Sequence, residues 1–253
     1  KKLLIILLNK LKRKQRQKKR KYLSRNKRIV IAIDGPAGAG KSTVAALVAK
    51  KLGFLYVDTG AMYRALTLKA LKNKISLINK NLLIEMAQKT DIKLDPETSR
   101  VFLDNKDVST EIRNEQVSKT SHFIASIPEI REILWQIQRG YRDKYNIVME
   151  GRDIGSVVFP DAQIKIYLDA SVDERAKRRY KQLKQQNLEY DITEIKKEII
   201  LRDEKDRNRS IAPLIKAKDA AVIDTTSMNI PQVVNAIIKI YQQKYSEKKE
   251  PYL

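Results

Sequence analysis

The chain has 253 residues, no cysteine and a formal net charge of +22. That length buries a sizeable core without covalent staples, and the missing thiols exclude both a disulfide framework and a thiolate metal centre. The positive excess is uneven: residues 1–28 hold nine lysines, five arginines and no acid, so the remainder lies much nearer balance.

In chain order the first segment is that basic stretch, "KKLLIILLNKLKRKQRQKKRKYLSRNKR". Its apolar run, Leu3 to Leu8, is too short to span a bilayer and shorter than the core of a usual signal peptide, so no transmembrane segment is expected. A single serine, Ser24, argues against a transit peptide. Residues 1–27 read as a basic, disordered extension. Electrostatics leaves open a rival function in which this tail binds nucleic acid or a membrane surface; otherwise no specific nucleic acid is expected, only weak non-specific contact.

Next comes "IAIDGPAGAGKSTVAALVAKKLG", a strand from Ile29 to Ile33, three glycines within six residues and a helical pattern closed by Gly53. Gly35, Gly38, Gly40, Lys41 and Ser42 fit G-x-x-x-x-G-K-[ST] in the strand-to-helix setting its mechanism requires. Glycines there let backbone N–H groups converge on an anion at a helix N-terminus. Lys41 reaches the outer phosphates and the Ser42 hydroxyl ligates Mg²⁺.

The apolar runs "RIVIAID", "FLYVDT", "NIVMEG", "QIKIYLDA" and "AAVIDTT" alternate with helical patterns, which predicts a parallel sheet covered on both faces. Residues 91–110 break that rhythm: apolar and polar residues alternate around "DPET" and "DNKD", the signature of a small antiparallel insert. Ser171 and Glu174 form a capping box, and Pro231 sits in the first turn of the last helix. The segment "ILRDEKDRNRS" reads as a helix whose Arg202, Asp206 and Arg209, at i, i+4 and i+7, share one face. Trp135 reads as a core anchor rather than a stacking platform.

A phosphate loop serves switches, motors and kinases. A switch GTPase should add D-x-x-G, yet no glycine here has Asp three residues before it, and "DNKD" lacks the spacer of a base-reading motif. "NIVMEGRD" offers Glu150 at a strand end, placed to orient a water on Mg²⁺, but no further motor-type sensor. A small-molecule kinase remains. Its chemistry calls for arginines converging from several elements and a lid that excludes water. Arg64, Arg131, Arg152, Arg202 and Arg209 supply the arginines, and Arg64 and Arg152 follow strand ends, where ligands of doubly wound sheets collect.

"IDGPAGAGKST", "YVDTGAMYRALTLKAL", "EGRDIGSVVFPDAQIKIYLDAS" and "RDEKDRNRSIAPL" together resemble, in order and spacing, the consecutive signatures of bacterial-type cytidylate kinases, over roughly residues 28–242. The resemblance implies an α/β P-loop kinase: a five-stranded parallel sheet flanked by helices, a small antiparallel insert in the nucleoside-monophosphate-binding region and a helical lid. It places the kinase domain at 28–246, the insert at about 86–120, the lid at about 196–213 and a tail at 247–253. It implies transfer of the γ-phosphoryl group of ATP, with Mg²⁺, to CMP or dCMP, by a monomer in the cytoplasm or in a plastid or other organelle interior. Gly35, Pro36, Ala37, Gly38, Ala39, Gly40, Lys41, Ser42 and Thr43 match the positions that hold the ATP phosphates. Thr59 stands near the acceptor, and Tyr63 and Arg64 contact its ribose and phosphate. Arg131 and Asp206 surround cytosine and sugar, Asp153 lies close to the sugar, and Arg152, Arg202 and Arg209 clamp phosphates beside the catalytic Lys41. One departure is His122, where the resemblance leads one to expect serine; it makes another acceptor, UMP or AMP, the nearest enzymatic rival.

Overall fold

Strands that are apolar along their whole length must be covered on both faces, and all five such runs become parallel strands of one sheet. The computed structural model describes residues 28–95, 98–185 and 190–246; the basic extension and the tail assigned above lie outside the described residues. The strands are β1 (Val30–Asp34), β2 (Leu55–Asp58), β6 (Ile147–Gly151), β7 (Ile164–Asp169) and β8 (Ala221–Asp224), in the spatial order β2-β6-β1-β7-β8. β1 begins and ends one residue later than expected and lies at the centre, fully buried, with Ile33 opposite both Glu150 and Ile166.

Eight α-helices are described: α1 (Lys41–Leu52), α2 (Thr59–Lys72), α3 (Lys80–Gln88), α4 (Glu115–Ala125), α5 (Pro128–Lys144), α6 (Val172–Gln185), α7 (Ile192–Arg207) and α8 (Ile230–Ser246). Alternation along β1 divides the core in two. Ile31 and Ile33 pack with Val44 and Val48 of α1 and Val233 and Ile237 of α8, whereas Val30 and Ala32 join Met62 and Leu66 of α2 and Ile130 and Leu134 of α5. A third, small cluster joins α6 to α7 through Ala176, Leu183, Ile195 and Ile199. Among the described residues no helix is long and apolar enough to cross a membrane.

The insert is antiparallel: β3 (Ile92–Leu94), β4 (Val101–Leu103) and β5 (Lys106–Asp107). Its alternate residues Ile92, Leu94, Val101 and Leu103 join the α2/α5 layer, and Asp104 and Asn105 form the turn with both backbones left-handed.

Two local readings need correction. The helix expected through Arg209 stops at Arg207, so Arg209 leaves the face it was assigned to and arrives from the following loop. The capping box is half made: Ser171 accepts from the Glu174 N–H at 3.2 Å, but the Glu174 carboxylate pairs with Arg178, and the Ser171 N–H goes to Thr226.

Candidate functional site

The phosphate loop connects the central strand to α1. Gly35 has φ of 149°, and a Cβ there would sit 2.0 Å from the Leu168 carbonyl oxygen of β7, so only glycine lets the loop pass. Lys41, 5% exposed, donates to the Pro36 carbonyl at 2.6 Å, inside the loop it begins from. Burial, with Arg152 and then Arg202 against it, pushes its ammonium down to about 7, while Glu150 pulls the other way. The Ser42 hydroxyl donates to Glu150 Oε1 at 2.5 Å, with the Tyr56 hydroxyl at 3.4 Å from the same oxygen. Burial and the neighbouring Asp58 carboxylate raise Glu150 above the usual carboxylate range, against the pull of Lys41 and Ser42.

Facing the loop is a cluster of cations. Arg152, following β6, donates through Nε to Asp206 Oδ2 at 2.9 Å. Burial alone would raise the Asp206 carboxyl, but Arg152, Arg209 and Arg202 outweigh it and hold it below its ordinary value. Arg202 is exposed as a residue, yet the surrounding protein and then Arg152 draw its guanidinium down to about 10. Arg209 Nη1 is 3.8 Å from Asp206 Oδ1, and its buried Nε and Nη2 have no hydrogen-bond partner among the described residues.

Beyond the arginines lies a wall built on α2 and α5. Arg131, 1% exposed, donates to Asp153 Oδ2 at 2.7 Å and to the Ala125 carbonyl at 3.0 Å. Trp135 Nε1 donates to the same Asp153 oxygen at 3.0 Å, and the Arg131 guanidinium stands 5.4 Å from the ring centres of both Tyr63 and Trp135. The Tyr63 hydroxyl and Arg131 Nε are buried without partners among the described residues. A buried polar group left unpaired costs about 1–3 kcal/mol, so orphans converging from Tyr63, Arg131 and Arg209 mark a place shaped for a polar, anionic ligand.

The description "Cytidylate kinase" belongs to the family whose model matches residues 31–243. The chain belongs to the cytidylate kinase family. It is 49% identical over 225 residues to a cytidylate kinase of Pediococcus pentosaceus, covering 88% of this chain and all of that protein. It is 51% identical over 212 residues to a cytidylate kinase of Caldanaerobacter subterraneus, covering 84% and 94%. With a cytidylate kinase of Listeria monocytogenes it shares 48% over 219 residues, covering 86% and 98%. A shikimate kinase from Bacteroides thetaiotaomicron is more distant, 13% identical with a TM-score of 0.46 over 85% of this chain and 98% of that one.

In this cytidylate kinase family member the loop residues 35–43, Glu150, Arg152, Arg202, Asp206 and Arg209 gather at the carboxyl ends of β1 and β6, with Tyr63, Arg131 and Asp153 beside them. Two nominated residues are otherwise engaged. Thr59 is buried, its hydroxyl proton committed to the Glu150 carbonyl at 2.8 Å, which ties α2 to β6. Arg64 pairs with Asp58 at 2.9 Å, the residue that also caps α2. His122 is half-buried on α4: Nδ1 contacts the Lys119 carbonyl at 2.8 Å and the ring tilts against Phe123. Burial lowers its pKa, Lys205 and Arg202 of α7 add to that, and the Lys119 carbonyl and Asp206 oppose it.

The sequence reading missed Asp34, Asp58, Arg175 and Asp203. Asp34 ends β1 and accepts the N–H groups of Ile154 and Gly155 at 2.9 and 2.7 Å, locking the turn that carries Arg152 and Asp153 to the strand beneath the phosphate loop. A carboxylate ending an otherwise apolar buried run was its available signal.

Proposed function

We propose that the chain transfers the γ-phosphoryl group of ATP to CMP or dCMP. The observation that carries this reading is the cluster of arginines between the phosphate loop and the Arg131–Asp153–Trp135 wall, with donors of Arg131 and Arg209 left without partners among the described residues, in a member of the cytidylate kinase family. Phosphoryl transfer between two anions needs positioning and charge stabilisation more than a base. Backbone N–H groups of residues 38–43, within the loop 35–43, hold the donor phosphates, and Lys41 leaves the Pro36 carbonyl for the outer ones. Arg152, Arg202 and Arg209 neutralise charge on the transferring group. On the acceptor side Arg64 exchanges Asp58 for the monophosphate. Tyr63, Arg131 and Asp153 hold the nucleoside, and Thr59 supports them from the scaffold.

The residues present fit Mg²⁺. Ser42 and Glu150 place a hydroxyl and a carboxylate 2.5 Å apart at the start of α1, hard oxygen donors of the kind this ion takes when phosphates and water complete its shell. Bound with the nucleotide, the ion would neutralise charge on the phosphates. Ser42 would hold it directly and Glu150 through a water.

The test is ADP release with CMP, dCMP, UMP and AMP offered separately, with and without Mg²⁺. Mg²⁺-dependent turnover favouring CMP and dCMP is expected. Preference for UMP or AMP would overturn the acceptor assignment and point to the His122 position; no turnover with any acceptor would overturn the reaction.

A further inference from the structure

Asp203 lies on α7 between Arg202 and Asp206 and points into the protein, 2% exposed. Both of its oxygens are used. Oδ1 accepts the backbone N–H of Ala37, in the phosphate loop, at 3.3 Å, and Oδ2 takes a short hydrogen bond from Arg175 Nη1 on α6. Arg175, also 2% exposed, donates from that Nη1 to the Ala37 carbonyl at 3.1 Å and from Nε to the Ala170 carbonyl, just after β7, at 3.0 Å. One residue of the phosphate loop is thus held at its N–H by α7 and at its carbonyl by α6.

A buried Arg–Asp pair that only packed α7 on α6 would need no third partner, and the apolar contacts of Ala176, Leu183, Ile195 and Ile199 already join those helices. Anchoring Asp203 to the loop does something else. It fixes the rotation of α7 about its own axis, since residues one and three positions away emerge at set angles from an α-helix. The neighbours so oriented are Arg202 and Asp206, and Asp206 holds Arg152 at 2.9 Å. We infer that Asp203 is a positioning residue that ties the lid helix to the phosphate loop, so that occupancy of the loop by donor phosphates sets where Arg202 stands. This rests on the reading of α7 as a lid over the transferring group.

Two measurements test it. The first is steady-state turnover with CMP for Asp203→Asn, Arg202→Ala and the double variant. Asp203→Asn is expected to lower kcat by about tenfold to a hundredfold, the cost of displacing a catalytic group by about an ångström, with KM for CMP changed less than about threefold. Because Asp203 acts through Arg202, the double variant should fall within about threefold of Arg202→Ala alone. Effects that multiply would overturn the inference. The second is amide hydrogen exchange with and without ADP, which needs no acceptor. ADP should slow exchange in the peptides covering both the loop and the second half of α7 in the unaltered chain, but only in the loop in Asp203→Asn. Equal slowing of α7 in both, or none in the unaltered chain, would overturn it. If Asp203→Asn does not fold, Arg175→Lys, which keeps the charge and drops the link to the Ala37 carbonyl, carries both comparisons. A chain that lacks CMP turnover yet shows the ADP pattern would refute the proposed acceptor alone.

Discussion

Lys41 is expected to take up a proton when nucleotide phosphates arrive. Lys41 is 5% exposed, and burial, with Arg152 and then Arg202 against it, pushes its ammonium down to about 7 from the ordinary 10.5. That depression corresponds to about 5 kcal/mol against the charged form, and a polyanion seated in the loop reverses its cause. At pH 8 about a tenth of free chains then carry the charge, so binding draws in about 0.9 proton; at pH 6 nearly all carry it and the uptake falls to about 0.1. Titration calorimetry with ADP in buffers of different ionisation enthalpy reads this number as the slope of the observed enthalpy. The slope at pH 8 should drop towards zero in Lys41→Ala. A zero slope at pH 8 in the unaltered chain, or an unchanged one in Lys41→Ala, would refute the argument. The same shift has a sign for stability. Between about pH 7 and 10.5 the unfolded chain binds more protons at this residue than the folded one, so its contribution to ligand-free stability rises with pH across that window.

Three further outcomes are expected. Arg209→Ala should lower kcat more than it raises KM for the acceptor, because its unpaired donors meet charge that grows towards the transition state; a change confined to KM would remove it from that role. Gly35→Ala should cost about 3 kcal/mol or more in denaturant unfolding, since the new Cβ meets backbone that cannot yield at a disfavoured φ, and a loss under about 1 kcal/mol would contradict the close approach. Trp135→Phe removes a hydrogen bond to a buried carboxylate, worth roughly 2 kcal/mol; circular dichroism melts matching those of the unaltered chain would show that Asp153 is satisfied without it.

The sheet was readable because full burial leaves a simple mark, continuous apolar runs, and the phosphate loop because glycine spacing before a helix has few other uses. The antiparallel insert was readable from alternation and turn residues. What escaped was polar and long-range. Asp203 sits in a helix crowded with charge, and nothing local separates it from the exposed Glu204 and Lys205; its partners Arg175 and Ala37 lie 28 and 166 residues away. Arg131 and Asp153 were each nominated for the acceptor side, but their pairing across 22 residues and the full burial of the arginine had no local mark. Arg209 was placed on a helix because i+7 spacing satisfies a helix wherever the chain continues one; α7 instead ends with Asn208 at its C-cap. The arginine still reaches Asp206, by a loop rather than by periodicity.

The chain contains one tryptophan, and it is Trp135. Its indole N–H rests on Asp153, with the guanidinium groups of Arg131 and Arg139 at 5.4 and 5.9 Å from the ring. Indole emission, excited apart from the eleven tyrosines, therefore comes from a single point, in the wall assigned to the acceptor. A ligand that changes it has altered that wall, by direct contact or through the arginines that join it to the phosphate loop, and no label need be introduced to see it.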